Sequence, residues 1–305
     1  MDGPVPVQVD SLVERELSDR GVAQDWRGQA RPLVFSFDWD QPGAKVREGH
    51  VHPGLEVGLV LRGRIDVRFE RAEVACGAGQ AWLCGMWEPH AWEIREPGTR
   101  SIALVFLPEL LAEQPVDAPP YFELFALPPE RRPLVRDPEM RQELAEIGRA
   151  IDRELREQKA HWQSMVRLDL LRLLGEHLRA GGAEAPGGIE TDAPRDRRKL
   201  PQIMPAIKLI RDTPWARISA AEAAATCGVS QSTFRHTFKQ AMGISFGRFR
   251  LSARLAYAAH RLLYTDQTVE AVAGEAGFTD SSHLHRAFRE HFGCSPTAYR
   301  SQQVR

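Results

Sequence analysis

Residues 277–300 read GFTDSSHLHRAFREHFGCSPTAYR, and residues 228–250 read GVSQSTFRHTFKQAMGISFGRFR. The two stretches are one unit written twice. At an offset of 50, Phe238 meets Phe288, Gly243 meets Gly293, Ser245 meets Ser295, Phe249 meets Tyr299 and Arg250 meets Arg300. Upstream the offset is 49, pairing Ala224 with Ala273 and Gly228 with Gly277, because the second copy has one more residue in its turn. Each copy has the grammar of a helix-turn-helix. A small residue (Ala224, Ala273) lets two helices cross closely, and a glycine four positions on suits a left-handed turn. A polar cap follows: Ser230 in the first copy, Thr279 or Asp280 in the second. The second helix of each copy places core residues four apart, Phe234 and Phe238, then Leu284 and Phe288.

Between those core positions the helices carry polar groups that point outward. They are Ser232, Arg235, His236 and Lys239 in the first copy, and Ser282, His283, His285, Arg286 and Arg289 in the second. Outward Arg, His and Ser near the start of such a helix suit base and phosphate contacts. The joining helix, roughly Phe246 to Leu263, spans about 27 Å. That is close to the 34 Å repeat of B-DNA, so both helices can enter successive major-groove segments.

Charge agrees with a polyanionic partner at this end. From Asp196 to Arg305 there are 16 Lys+Arg and 8 Asp+Glu, a balance of +8, out of 40 and 41 in the whole chain. The preceding 195 residues balance at −9, so basicity is concentrated in the C-terminal third.

The remainder is organised differently. The chain has 305 residues, 43% hydrophobic and 27% charged, enough for two globular domains. Residues 31–106 alternate as strands do, in LVFSFDW and RIDVRFER, with a continuous apolar strand from Val57 to Leu61. Beyond Asp137 the pattern becomes helical. Met140, Leu144, Ile147, Ile151 and Leu155 form one stripe, and Met165, Leu168, Leu171, Leu174 and Leu178 another, predicting an antiparallel pair available for dimerisation. Residues 181–197, GGAEAPGGIETDAPRDR, read as a flexible linker.

The expected fold is α+β in two domains: a jelly-roll barrel over 1–110, a helical connector over 111–180, the linker over 181–197, and an all-α domain over 198–305. No apolar run reaches the length of about 18 residues that a membrane span needs. The N-terminus has neither a basic start nor an apolar export core, which places the chain in the cytoplasm. Cys76, Cys84, Cys227 and Cys294 have no metal-finger spacing and read as reduced thiols.

The stretch from about Pro205 to Arg300 resembles the paired helix-turn-helix domain of the AraC/XylS family of bacterial transcription regulators. The most specific piece is TVEAVAGEAGFTDSSHLHRAFREHFGCSPTAYR, with its Gly-Phe turn, Gly-x-Ser-Pro and Tyr-Arg. The resemblance covers about a third of the chain. It implies base-facing roles for Ser232, Arg235, His236, Ser282, His283, His285 and Arg286. It also implies double-stranded operator DNA as partner, a small-molecule effector, RNA polymerase contact in an activator, and a homodimer. The small groups at Ser232 and Thr233 leave the preferred bases open.

Members of that family often carry a cupin-like sensing domain, and residues 31–106 resemble one. His50, His52 and Glu56, with Gly63 following, fit the first cupin motif. Gly79 and His90 fit the second, whereas Gly85 stands where proline is usual, Trp87 where glycine is usual, and Ile94 at the closing asparagine. Three imidazoles and a carboxylate suit a divalent Fe, Mn, Ni or Zn ion with positions left open for a ligand. The same four residues also serve a metal-free effector pocket. Two functions therefore stand side by side. One is a ligand-responsive DNA-binding regulator without catalysis. The other is a cupin metalloenzyme, a dioxygenase or isomerase, with an accessory nucleic-acid domain.

Overall fold

The apolar run after Glu56 forms a strand at the interior of a sheet covered on both faces. The computed structural model describes residues 33–39, 45–70, 72–112, 119, 121–184 and 199–301, with the side chains of 33–50, 181–184 and 264 outside the description. Among the described residues eight strands come first: β1 (Leu33–Trp39), β2 (Lys45–His50), β3 (Leu55–Arg62), β4 (Arg64–Phe69), β5 (Glu73–Gly77), β6 (Ala81–Cys84), β7 (His90–Ile94) and β8 (Thr99–Phe106). They make two antiparallel four-stranded sheets, in the orders β1-β8-β3-β6 and β2-β7-β4-β5. The expected jelly roll is present as a two-sheet sandwich; its backbone does not close into a barrel among the described residues.

Strand parity explains the buried run. Leu55, Val57 and Leu59 of β3 pack with Leu83, Leu104 and Phe106 under the helices. Val60 joins Trp82, Cys84 and Ala103 against Ile65, Val67, Cys76 and Ile94 of the other sheet. Val57 to Val60 are covered on both faces, so this run is apolar on both sides. Gly58 lies opposite Trp82, where a Cβ would come within 1.9 Å of the indole. A side chain at 58 would therefore expel Trp82 from between the sheets.

Two short helices, α1 (Glu109–Ala112) and α2 (Phe122–Ala126), lead to the long pair α3 (Pro138–Glu157) and α4 (Trp162–Glu184). Asp137 caps α3 by accepting from the Met140 amide, with Pro138 at the first helical position, where a missing N–H costs nothing. The pair buries Leu144, Ile147 and Ile151 against Val166, Leu170, Leu173 and Leu174. One expectation changes here. Met165 and Leu168 were placed on the packed stripe of the second helix, yet they are 44% and 60% exposed. The helix carries apolar residues on more than one face, so period alone does not say which face is covered. Helix α4 continues to Glu184, into the linker predicted over 181–197; residues 185–198 lie outside the described residues.

The C-terminal helices are α5 (Lys199–Asp212), α6 (Ala220–Thr226), α7 (Gln231–Met242), α8 (Phe246–Tyr264), α9 (Val269–Glu275), α10 (Ser281–Phe292) and α11 (Pro296–Ser301). Helices α6–α7 and α9–α10 are the two predicted helix-turn-helix units, and α8 joins them over about 28 Å. Their cores differ in ownership. Phe234, Phe238 and Phe249 of the first unit belong to the same apolar cluster as the N-terminal helices. The second unit has a core of its own around Leu262, Phe278, Leu284, Phe288 and Tyr299.

Candidate nucleic-acid interface and effector pocket

The duplicated units match in backbone detail. Gly228 and Gly277 take φ of +67° and +73° in their turns, a region that glycine enters without strain. The residue after each glycine closes the turn: Val229 donates to the Ala224 carbonyl and Phe278 to that of Ala273. Ser230 caps α7 through the Thr233 amide, and Asp280 caps α10 through the His283 amide. Of the two cap candidates in the second copy, Asp280 is therefore the one used. Its carboxyl is held below the ordinary value, first by that backbone hydrogen bond. A further clamp repeats as well. Arg250 donates to the Ile218 carbonyl, and Arg300 to those of Leu262 and Gln267. Ile218 and Gln267 each precede an N-cap, Ser219 or Thr268.

The outward faces are where the sequence placed them. Ser232, Arg235, His236 and Lys239 are exposed on α7, as are Ser282, Arg286 and Arg289 on α10. His283 and His285 are half-buried. The His283 Nδ1 lies 3.2 Å from Thr279 Oγ1 and its ring sits edge-on to Phe278, at 5.3 Å between centroids. His285 shares a shallow open concavity with Ser282, Arg286 and Arg289.

In the sandwich, three of the four predicted pocket residues converge. His52 comes from the β2–β3 connection, Glu56 from β3 and His90 from the start of β7. They are 2%, 1% and 1% exposed. His50 pairs its backbone with His90 in the β2–β7 ladder; its side chain lies outside the described residues. His52 leaves strand parity because residues 51–54 are not strand, and its Nδ1 lies 3.0 Å from the Gly54 carbonyl. The His90 Nδ1 lies 2.8 Å from the Glu88 carbonyl.

A carbonyl only accepts, so both Nδ1 atoms donate. Both Nε2 atoms then face Glu56 Oε2, at 3.1 Å from His52 and 3.5 Å from His90. The other carboxylate oxygen accepts from Trp82 Nε1 at 2.7 Å. Two imidazole lone pairs against a carboxylate repel one another unless positive charge, a proton or a metal ion, sits among them. Burial pushes the Glu56 carboxyl up, but the charge of His90 and hydrogen bonds from His52 and His90 outweigh it and hold it well below the carboxylate range. Burial pushes His90 down, yet Glu56 and the Glu88 carbonyl raise it above the ordinary imidazole value.

Trp82 and Trp87 are buried, 3% and 2% exposed. Trp87 has φ +58°, a left-handed conformation at the very place where cupins usually have glycine. Its amide donates to the His52 carbonyl at 2.9 Å, tying the loops that carry His52 and His90. Burial pushes the Cys76 thiol to about 12 and raises Cys84 as well, which opposes a reactive redox pair.

A cavity of about 340 Å³ lies at the junction of the two domains. Leu55, Phe69 and Trp87 line it from the sandwich, Phe125 from α2, and Met242, Arg248 and His291 from the C-terminal helices. None of the buried triad lines it. Across this junction Arg248 meets Glu70 at 3.4 Å, buried Arg211 pairs with Glu109, and Gly243 sits directly on the Ala126 carbonyl. Burial, then the charge of Arg248, depresses His291 to about 4. Nothing local in the sequence marks this cavity, because its walls come from several distant segments, from Leu55 to His291.

Comparison with known proteins agrees with the geometry. Residues 223–302 match the family described as a helix-turn-helix domain. Residues 40–106 match the cupin domain. The HTH-type transcriptional regulator RipA of Corynebacterium glutamicum is 34% identical over 112 residues, which is 37% of this chain and 32% of that protein. The transcriptional activator NphR of Rhodococcus sp. is 40% identical over 90 residues, 30% of this chain and 27% of that protein. The chain thus spans about a third of the length of these curated relatives. The crystal structure of ToxT from Vibrio cholerae O395 shares the fold, with a TM-score of 0.50 and 8% identity over 90% of this chain and 98% of that one. None of the described helices is long and apolar enough to cross a membrane.

Proposed function

We propose that the chain is a sequence-specific, effector-responsive transcription regulator that acts on promoter DNA in the cytoplasm and is not an enzyme. The observation that carries this reading is the duplicated AraC-type unit, with matching caps, turns and exposed α7 and α10 faces. Ser232, Arg235, His236, Lys239, Ser282, His283, His285 and Arg286 are the DNA-contacting set. A salt series of mobility-shift measurements on the flanking promoter region tests it. Specific retardation should weaken steeply with salt, as counterion release demands. Absence of specific retardation at every salt concentration refutes the reading.

The effector acts at the junction. A ligand in the 340 Å³ cavity touches the cupin domain and the AraC-type domain at once, so it can bind docked and undocked arrangements with different affinity, as control requires. Aromatic and aliphatic walls beside Arg248 and His291 suit a small molecule with an apolar body and a polar end. A thermal-shift screen of such molecules on the full chain tests this, because binding raises the melting temperature by linkage. The exposed Met165 and Leu168 face of α4 serves a homodimer, and RNA polymerase is the further partner of an activator.

His52, Glu56 and His90 hold a divalent Fe, Mn, Ni or Zn ion, with His50 as the fourth donor. The donor set fits: two imidazoles are oriented by backbone carbonyls through the far nitrogen, as metal-bound histidines are, and the ligand atoms lie within 4.8 Å of one another. The ion would supply a Lewis-acidic centre there. The triad is 1–2% exposed, so burial favours a metal that rigidifies the sensor over one that turns over substrate. Metal analysis of the purified protein with oxygen-uptake measurements separates the two roles.

A further inference from the structure

The turn glycines of the two helix-turn-helix units are equivalent in sequence and conformation, but their surroundings differ. A Cβ at Gly228 would meet nothing within 4 Å. A Cβ at Gly277 would meet the Trp215 carbonyl at 2.7 Å, Arg217 Cγ at 3.3 Å and Arg254 Nε at 3.4 Å. The second turn is therefore packed against the α5–α6 connection of the first unit and against the joining helix α8.

Three polar bonds and one ring contact hold it there. Arg217 donates from Nε to the Gly277 carbonyl at 3.0 Å and from Nη2 to that of Phe278 at 3.1 Å. Arg254 donates from Nε to the Ala276 carbonyl at 2.8 Å, and its guanidinium lies 4.2 Å from the Phe278 ring centroid. Trp215 packs against Tyr257 of α8 with tilted rings, 5.2 Å between centroids, at the start of the same connection. The residue matching Arg217 in the second repeat, at the offset of 49, is Asp266. The duplication preserves caps and turns, but at this position it exchanges a five-donor cation for an anion.

We infer that Arg217 and Arg254 are positioning residues that lock the second reading helix at a fixed distance and angle from the first, and so set the half-site spacing the protein accepts. The inference rests on the DNA-regulator reading above. Two linked modules gain avidity only when their geometry allows both to engage. Two guanidiniums planted on three consecutive carbonyls of the turn remove the hinge that a lone connecting helix would leave. Arg217 is exposed on its solvent side, so its loss spares both cores.

The test uses the full chain and duplexes that it selects from a random pool. One base pair inserted between the half-sites rotates the second by about 34–36°. The native protein should lose at least about 10-fold in affinity on that insertion, whereas Arg217→Ala should lose about 3-fold or less. A second readout needs no DNA. With Cys227 and Cys294 replaced by serine, spin labels at cysteines introduced in place of Lys239 and Glu290 should give one narrow distance distribution. Arg217→Ala should broaden it, and Arg254→Lys, which keeps the charge but loses the planar Nε donor, should broaden it too. An unchanged spacing penalty or an unchanged distribution in Arg217→Ala overturns the inference. Failure of the native protein to select any sequence sinks the DNA-regulator reading instead, and the distance measurement still decides the lock.

Discussion

Gly243→Ala and Gly293→Ala are the same substitution at matched places in the repeat, and their difference measures the docking of the domains. Both glycines terminate a helix in the left-handed region, at φ +72° and +75°. An alanine there costs about 1–2 kcal/mol from backbone sterics alone. At Gly293 nothing else stands within 4 Å of the new Cβ. At Gly243 the new Cβ would lie 2.0 Å from the Ala126 carbonyl oxygen and 3.0 Å from its carbon. That oxygen has to retreat by about 1 Å or more, and overpacking of this kind adds about 1–3 kcal/mol. Gly293→Ala should therefore destabilise by about 1–2 kcal/mol, and Gly243→Ala by about 2–5 kcal/mol. Urea unfolding of the full chain reads both values, provided the slopes agree. Equal destabilisation by the two substitutions refutes the reasoning, since it leaves no cost for the interdomain contact.

Arg286→Ala should weaken specific DNA binding by about 1–3 kcal/mol and relax preference at one base position, as seen in competition mobility shifts. Added divalent metal should raise the melting temperature of the native chain but not of Glu56→Gln, which removes the central carboxylate; an equal rise in both refutes the metal site. Buried His177 is depressed to about 4 by burial, against the opposing carbonyl of Leu173. Its unfolded-state value is near 6.5, so the unfolded chain takes up the proton first as pH falls. Stability is full above about 6.5 and declines down to about 4. His177→Leu should remove up to about 3 kcal/mol of that decline in denaturation curves recorded across the window.

The sequence by itself determined the C-terminal architecture. Apolar spacing, cap residues and turn glycines all act over a few residues, and the internal repeat stated each of them twice. It also determined most of the side chains of α7 and α10 that face outward, because helical period and core residues four apart leave few alternatives; His283 and His285, read as outward, are half-buried. The sandwich was legible as strands, and Glu56 and His90 as candidates. Trp82, whose indole fixes the Glu56 carboxylate, was visible only as an aromatic, since its role depends on Gly58 across the β3–β6 ladder.

What only the tertiary structure decided are the relations between distant segments. Which stripe of α4 is covered depends on what packs beside it. The junction cavity, the Gly243–Ala126 contact and the Arg248–Glu70 pair join parts of the chain more than a hundred residues apart, and no local pattern encodes such a meeting. Arg217 is the clearest case. In the sequence it is one arginine in a short connection; in the fold it is bonded to the turn of a unit 60 residues away, because α8 brings that turn back against it.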